Sequence, residues 1–201
     1  MSMQSIESKI LKIIRAEKRG KLLFPEDFRH LGSSEAIRLA LHRLEKDSQI
    51  TRVAHGIYVR PVISKYIGTV LPTAEEVAEG IAKRDKARTV PTGPYALHAL
   101  GLSTQVPMKI VLLTDGSPRE IQVGNRTIKF KKTTPKNLLA KGKISRLVIQ
   151  ALKEIGKDQQ TDAEEKKVIE LLKKEKPKNL MHDIPLAPVW IQKIMNKALH
   201  E

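Results

Sequence analysis

Isoleucines at 6, 10, 13 and 14 recur at helical spacing in SIESKILKIIRAEKRG, and that stripe predicts a first helix, with Ser5 placed to cap it and Gly20 to stop it. After KLLF, the run PEDFRHLG has proline at a first helical position and two acids in the first turn, where the helix dipole favours them. It ends on Gly32 and predicts a second, short helix. Ser33 or Ser34 then caps a third helix running to about Asp47. Ala36, Ile37, Ala40, Leu41 and Leu44 form its buried stripe, while Glu35, Arg38, Leu39, His42 and Lys46 face away with Arg43 on the flank. Beyond it, ITRV and GIYV are β-rich runs separated by Ala54 and His55, and Gly56 can take the positive φ of a tight turn. Helix, helix, glycine-containing turn, helix and hairpin is the order of a winged helix-turn-helix.

The pattern changes after residue 60. PTAEEVAEGIAKRDK predicts a helix with Thr73 and Glu76 as a capping box and Val77, Ala78, Ile81 and Ala82 as its inner stripe. VPTGPYALHALGLSTQVP carries a short helical run ending at Gly101. MKIVLLT, REIQV and TIKFKK then read as three strands of a small antiparallel meander, joined by DGSP and GN. Beyond Pro135 the periodicity is helical again, in NLLAKGKISRLVIQALKEIG, DAEEKKVIELLKKEK and LAPVWIQKIMNKAL. The fold class expected is α+β. It comprises an N-terminal winged helix-turn-helix over 1–60, a small α+β domain with an antiparallel sheet over 61–135, and a helical C-terminal extension over 136–201 that packs on the second domain.

Composition narrows the chemistry. The 201-residue chain is only 3% aromatic, so its cores rest on aliphatic side chains, and it has no cysteine, which excludes disulfides and thiolate metal sites. No apolar run approaches the roughly 18 residues of a membrane span. The N-terminus lacks the basic-then-apolar order of a secretory signal, so a cytoplasmic location with no membrane contact is expected. Lys and Arg number 37 against 22 Asp and Glu, a net +15 that favours polyanions or acidic partners. The excess is spread evenly, with 12 basic and 7 acidic residues in 1–60, 11 and 6 in 61–135, and 14 and 9 in 136–201. Charge alone therefore picks out no binding face.

Catalytic patterns are missing. The sequence has no GKS/T phosphate loop, no GxSxG elbow and no HExxH, and its six histidines include no pair at a helical metal-ligand spacing. His182 and Asp183 read as an exposed polar pair, Asp115 to Ser117 as a turn, and His98 as a packed or surface histidine. The expectation is no enzyme activity, no catalytic residue, no metal and no cofactor.

The N-terminal pattern suits DNA. A helix fits the major groove, where Arg can donate two parallel bonds to guanine, Glu can accept from cytosine and Ser can meet phosphate or base. The candidate contacts on the third helix are Ser33, Ser34, Glu35, Arg38, His42, Arg43 and Lys46. Arg52, His55 and Arg60 on or beside the hairpin are placed for the flanking backbone or minor groove.

GSSEAIRLALHRLEKDSQITRVAHGIYVRP, PTGPYALHALGLSTQVP and LLTDGSPREIQVGNRTIKFKK together resemble the AbiEi-like antitoxins of bacterial type IV toxin-antitoxin systems, over about residues 5 to 135. The resemblance implies a winged helix that represses its own operon by binding promoter repeats, joined to a domain that counters the toxin. It places the recognition helix at 33–46, the wing at 50–60 and the start of the second domain near Pro61. It also implies a nucleotidyltransferase-like toxin as functional partner. A homodimer on DNA is expected if the operator is palindromic, because two-fold DNA symmetry is matched by two-fold protein symmetry. Residues 136–201 match none of that pattern. The alternative function is a non-enzymatic module that binds protein or RNA through its basic surface.

Overall fold

The computed structural model describes residues 5–200. It divides into two units, Met1–Gly80 with Ile121–Asn125, and Ile81–Glu120 with Arg126–Glu201.

The first unit begins with α1 (Ile6–Ala16), whose cap Ser5 accepts the Ser8 N–H at 3.1 Å. A two-residue strand, β1 (Leu22–Leu23), leads to Pro25–Leu31, which is wound as a 3-10 helix; the Asp27 carboxylate accepts the Phe24 N–H at its start. Next comes α2 (Ser34–Lys46), capped by Ser33 through the Ala36 N–H. β2 (Thr51–Ala54) and β3 (Ile57–Val59) form a hairpin with Gly56 at φ 67°, and β1 adds to the other side of β3. This gives a three-stranded antiparallel sheet in the order β1-β3-β2, with Leu23 opposite Tyr58 and Arg52 opposite Tyr58 from the other flank. Ile10 and Ile14 of α1, Phe28 of the 3-10 turn and Ile37, Leu41 and Leu44 of α2 make the core with Leu23, Ile50 and Tyr58. The stripe expected from the isoleucine and leucine spacing is the one that is buried.

Two short strands that periodicity does not predict follow, β4 (Val62–Ser64) and β5 (Gly68–Val70), paired antiparallel as a hairpin. The Ser64 hydroxyl accepts the N–H groups of Tyr66 and Ile67 and shapes its turn. α3 (Ala74–Arg84) opens with the expected reciprocal pair: Thr73 N–H donates to Glu76 Oε2 at 2.8 Å, and Glu76 N–H to Thr73 Oγ1 at 3.2 Å. The division between units falls at Gly80, inside this helix.

Residues 89–132 carry β6 (Thr89–Thr92), α4 (Pro94–Ala99), β7 (Lys109–Thr114), β8 (Arg119–Val123) and β9 (Arg126–Lys132), with the sheet order β6-β7-β9-β8; of β8, only Arg119 and Glu120 belong to the second unit. The expected antiparallel meander is corrected here. β6 is antiparallel to β7, but β7 and β9 run parallel, from Lys109 opposite Thr127 to Thr114 opposite Lys132. β7 and β8 follow one another in the chain but are not neighbours in the sheet, because β9 is inserted between them.

The helical part comprises α5 (Lys143–Ile155), α6 (Asp162–Leu172), α7 (Pro177–Asp183) and α8 (Val189–His200). Val148 and Leu152 of α5, Val168 and Leu172 of α6, and Ile191 and Met195 of α8 share one buried cluster with Ala96 and Leu100 at α4. Residues beyond 136 thus share a core with the segment around α4. Of the two units, the first includes β4 and β5.

Candidate functional site

The outward face of α2 is built by the same spacing that buries the inward one. Ile37, Ala40, Leu41 and Leu44 are buried, so Ser34, Glu35, Arg38, Leu39, His42 and Lys46 are carried to solvent. Arg38, His42 and Lys46 lie four residues apart and form one stripe along the helix. Among the described residues, Arg38 and Lys46 are in no ion pair. His42 Nδ1 lies 4.0 Å from Glu45 Oε2, and Arg43, on the flank, has its guanidinium 3.7 Å from Glu7 on α1. Ser33 is committed to the helix as its cap, which leaves Ser34 as the freer hydroxyl at that end.

On the β2–β3 hairpin, Arg52 Nη2 donates to His55 Nδ1 at 2.8 Å, and Arg52 Nε bonds the Ala54 carbonyl at 3.4 Å. The turn imidazole and a backbone oxygen thus hold one guanidinium on the hairpin. Arg60 is elsewhere: its Nη1 donates to the Arg15 carbonyl, at 3.0 Å, at the end of α1. It therefore joins Arg15 and Arg19, which the sequence reading missed. These three line a cavity of about 240 Å³ with Leu11, Ser48 and Gln49 among its walls. Their only linear signal is the i, i+4 spacing of Arg15 and Arg19, since Arg60 lies 45 residues from its partner.

The pairs read as structural in the sequence resolve in two ways. Asp115 sits in the turn after β7, where the Arg88 side chain and backbone N–H bond its carboxylate, both at 2.8 Å. Those bonds, the side-chain one foremost, hold its pKa below the ordinary value. Asp183, in contrast, is not exposed: it is wholly buried beneath the start of α5. Its carboxylate accepts Lys141 N–H at 2.8 Å, Gly142 N–H at 2.7 Å, His182 Nδ1 at 2.7 Å and the Ser145 hydroxyl. Burial alone would raise its pKa, but these bonds together hold it below the usual range. Glu175 accepts the Ile144 N–H beside it at 2.8 Å, so two carboxylates serve the N–H groups that lack an intrahelical partner at one helix start. Ser145 bonds the carboxylate and not the imidazole, so the trio lacks the serine-to-histidine contact that activates a nucleophile. Among the described residues, no group of three or more His, Asp or Glu is placed to hold a metal ion, and no helix is long and apolar enough to cross a membrane.

The family of unknown function DUF6088 matches residues 9–180. The chain belongs to that family. No curated protein matches it.

Proposed function

We propose that this DUF6088 chain is a cytoplasmic, non-enzymatic DNA-binding protein whose first unit is a winged helix-turn-helix, acting as the autorepressor and antitoxin of a bacterial type IV toxin-antitoxin system. The observation that carries the reading is the α2 face, where Arg38, His42 and Lys46 stand in line behind a capped N-terminus on a rigid apolar core. A basic hairpin that holds Arg52 against His55 follows directly. Inserted in a major groove, the α2 stripe would present Ser34, Glu35 and Arg38 to base edges, with Lys46 toward the phosphates. Arg52 and His55 would meet the flanking backbone.

The resemblance of residues 32–61, 91–107 and 112–132 to AbiEi-like antitoxins supports the rest of the assignment. The target DNA is then the protein's own promoter repeats, bound by a homodimer where those repeats are palindromic, and the functional partner is a nucleotidyltransferase-like toxin. A protein-binding role has one observation in its favour, the β4–β5 hairpin, where Tyr66 is 96% and Ile67 76% exposed. Such apolar exposure fits a protein contact better than a nucleic-acid one.

The test is a binding titration with the DNA upstream of the gene against a scrambled duplex of equal length, run beside a growth-rescue assay with the neighbouring toxin gene. Sequence-specific binding together with rescue by the whole chain is expected. Equal affinity for both duplexes would overturn the repressor reading, and failure to rescue would overturn the antitoxin reading.

A further inference from the structure

The cavity between the end of α1, the turn after α2 and the segment after β3 is unusual in its charge. Arg15 Nη2 donates to Gln49 Oε1 at 3.1 Å, Arg19 Nη1 to the Pro61 carbonyl at 3.0 Å, and Arg60 Nη1 to the Arg15 carbonyl at 3.0 Å. Each of these bonds uses one N–H of a guanidinium that carries five. All three acceptors are neutral, and among the described residues no Asp or Glu lines the cavity. Three cations are therefore gathered without a counter-charge, held in place by carbonyl and amide oxygens, with most of their donors unspent. Like charges so arranged repel one another, and an oxyanion among them relieves that repulsion. Guanidinium also matches phosphate in shape, through paired parallel N–H···O bonds. At about 240 Å³ the space is smaller than the roughly 300 Å³ at which drug-sized pockets begin, which suits a single charged group rather than a whole cofactor.

We propose that Arg15, Arg19 and Arg60 form a site for a phosphoryl group, supplied either by the backbone of a bound nucleic acid or by a free phosphate ester. The site rests on the arginine geometry and not on the DNA reading. It also gives Arg60 a role apart from the α2 face.

The probe is inorganic phosphate, followed by ³¹P NMR as the full-length protein is titrated in at constant ionic strength. Saturable one-to-one broadening is expected, weakened at least tenfold in Arg15→Gln and in Arg19→Gln. Both side chains are exposed, so an unchanged melting temperature will show that these variants fold. Lys178→Gln removes the same charge from an exposed position in the second unit and should leave binding as it was. Two results would each overturn the site: no saturable binding by the parent chain, or equal weakening by Lys178→Gln, which would mean diffuse charge only. A second arm adds saturating duplex DNA. Release of phosphate assigns the site to the nucleic-acid backbone, while retention assigns it to a free ester. A protein that binds phosphate but no DNA keeps this site and loses the function proposed above.

Discussion

Replacing Asp183 by asparagine should destabilise the second unit by about 2–4 kcal/mol at neutral pH. The magnitude follows from how the donors are shared. Oδ2 takes Gly142 N–H and the Ser145 hydroxyl, and Oδ1 takes Lys141 N–H and His182 Nδ1. Whichever way an amide is turned, its NH₂ faces one of the two backbone N–H groups, and that donor is orphaned at a cost of about 1–3 kcal/mol. Loss of the negative charge weakens the remaining bonds and the interaction with the helix dipole by roughly 1 kcal/mol more. Ser145 can rotate its hydroxyl to accept, so it adds little. The assay is urea unfolding of parent and variant between pH 7 and pH 3. Because the folded-state pKa is lowered, the carboxylate's contribution is whole above the unfolded value of about 3.9 and is lost as pH falls through the folded one. The gap between the two proteins should therefore narrow in acid. A difference under about 0.5 kcal/mol at pH 7, or one that stays constant down to pH 3, would refute the account of this carboxylate as a charged helix cap.

Three further outcomes are expected. Arg38→Ala should leave the melting temperature unchanged, since the side chain is exposed, and should lower affinity for the promoter by about 1–3 kcal/mol with relaxed preference at one base position; a binding titration checks both. Arg52→Ala should weaken binding to all duplexes alike and reduce the slope of log affinity against log salt by about 0.9, read from titrations at several salt concentrations. Leu41→Ala empties a site that is fully buried between α1 and α2, and should cost about 2–5 kcal/mol in denaturant unfolding.

Much of this architecture is written locally, and the exceptions have physical causes. α1 and α2 were legible because isoleucine and leucine recur at the helical period and Ser5 and Ser33 stand where caps are needed. Thr73 and Glu76 announced α3 for the same reason. β1 escapes any reading by periodicity because two residues contain no period. β6 is hidden by Pro91, which argues against a strand; it is tolerated because β6 lies at the edge of its sheet, where a missing donor breaks no second ladder. β4 and β5 bury too little to show an inner face, with Val62 and Ile63 of β4 both exposed. The α2 candidates could be named from one helical wheel. The arginine cavity could not, since its walls come from three segments that meet only in the folded chain. Asp183 looked like a surface residue because nothing near it in sequence reveals that the start of α5 lies above it.

The insertion of β9 beside β7 sets an order on assembly. The six paired positions of these strands are each 18 residues apart in the chain, as Lys109 is from Thr127, so β7 cannot be completed on that side until the chain has travelled out through β8 and returned. On a ribosome, β7 emerges with only β6 available to pair, and its other edge stays open while the next 18 residues are made. That edge belongs to KIVLLT, an apolar and β-branched run of the kind that recruits other strands. The sheet's interval of greatest exposure to misassembly therefore falls during synthesis and closes when Lys132 is in place. A chain stalled between residues 114 and 126 should aggregate more readily than one stalled after β9.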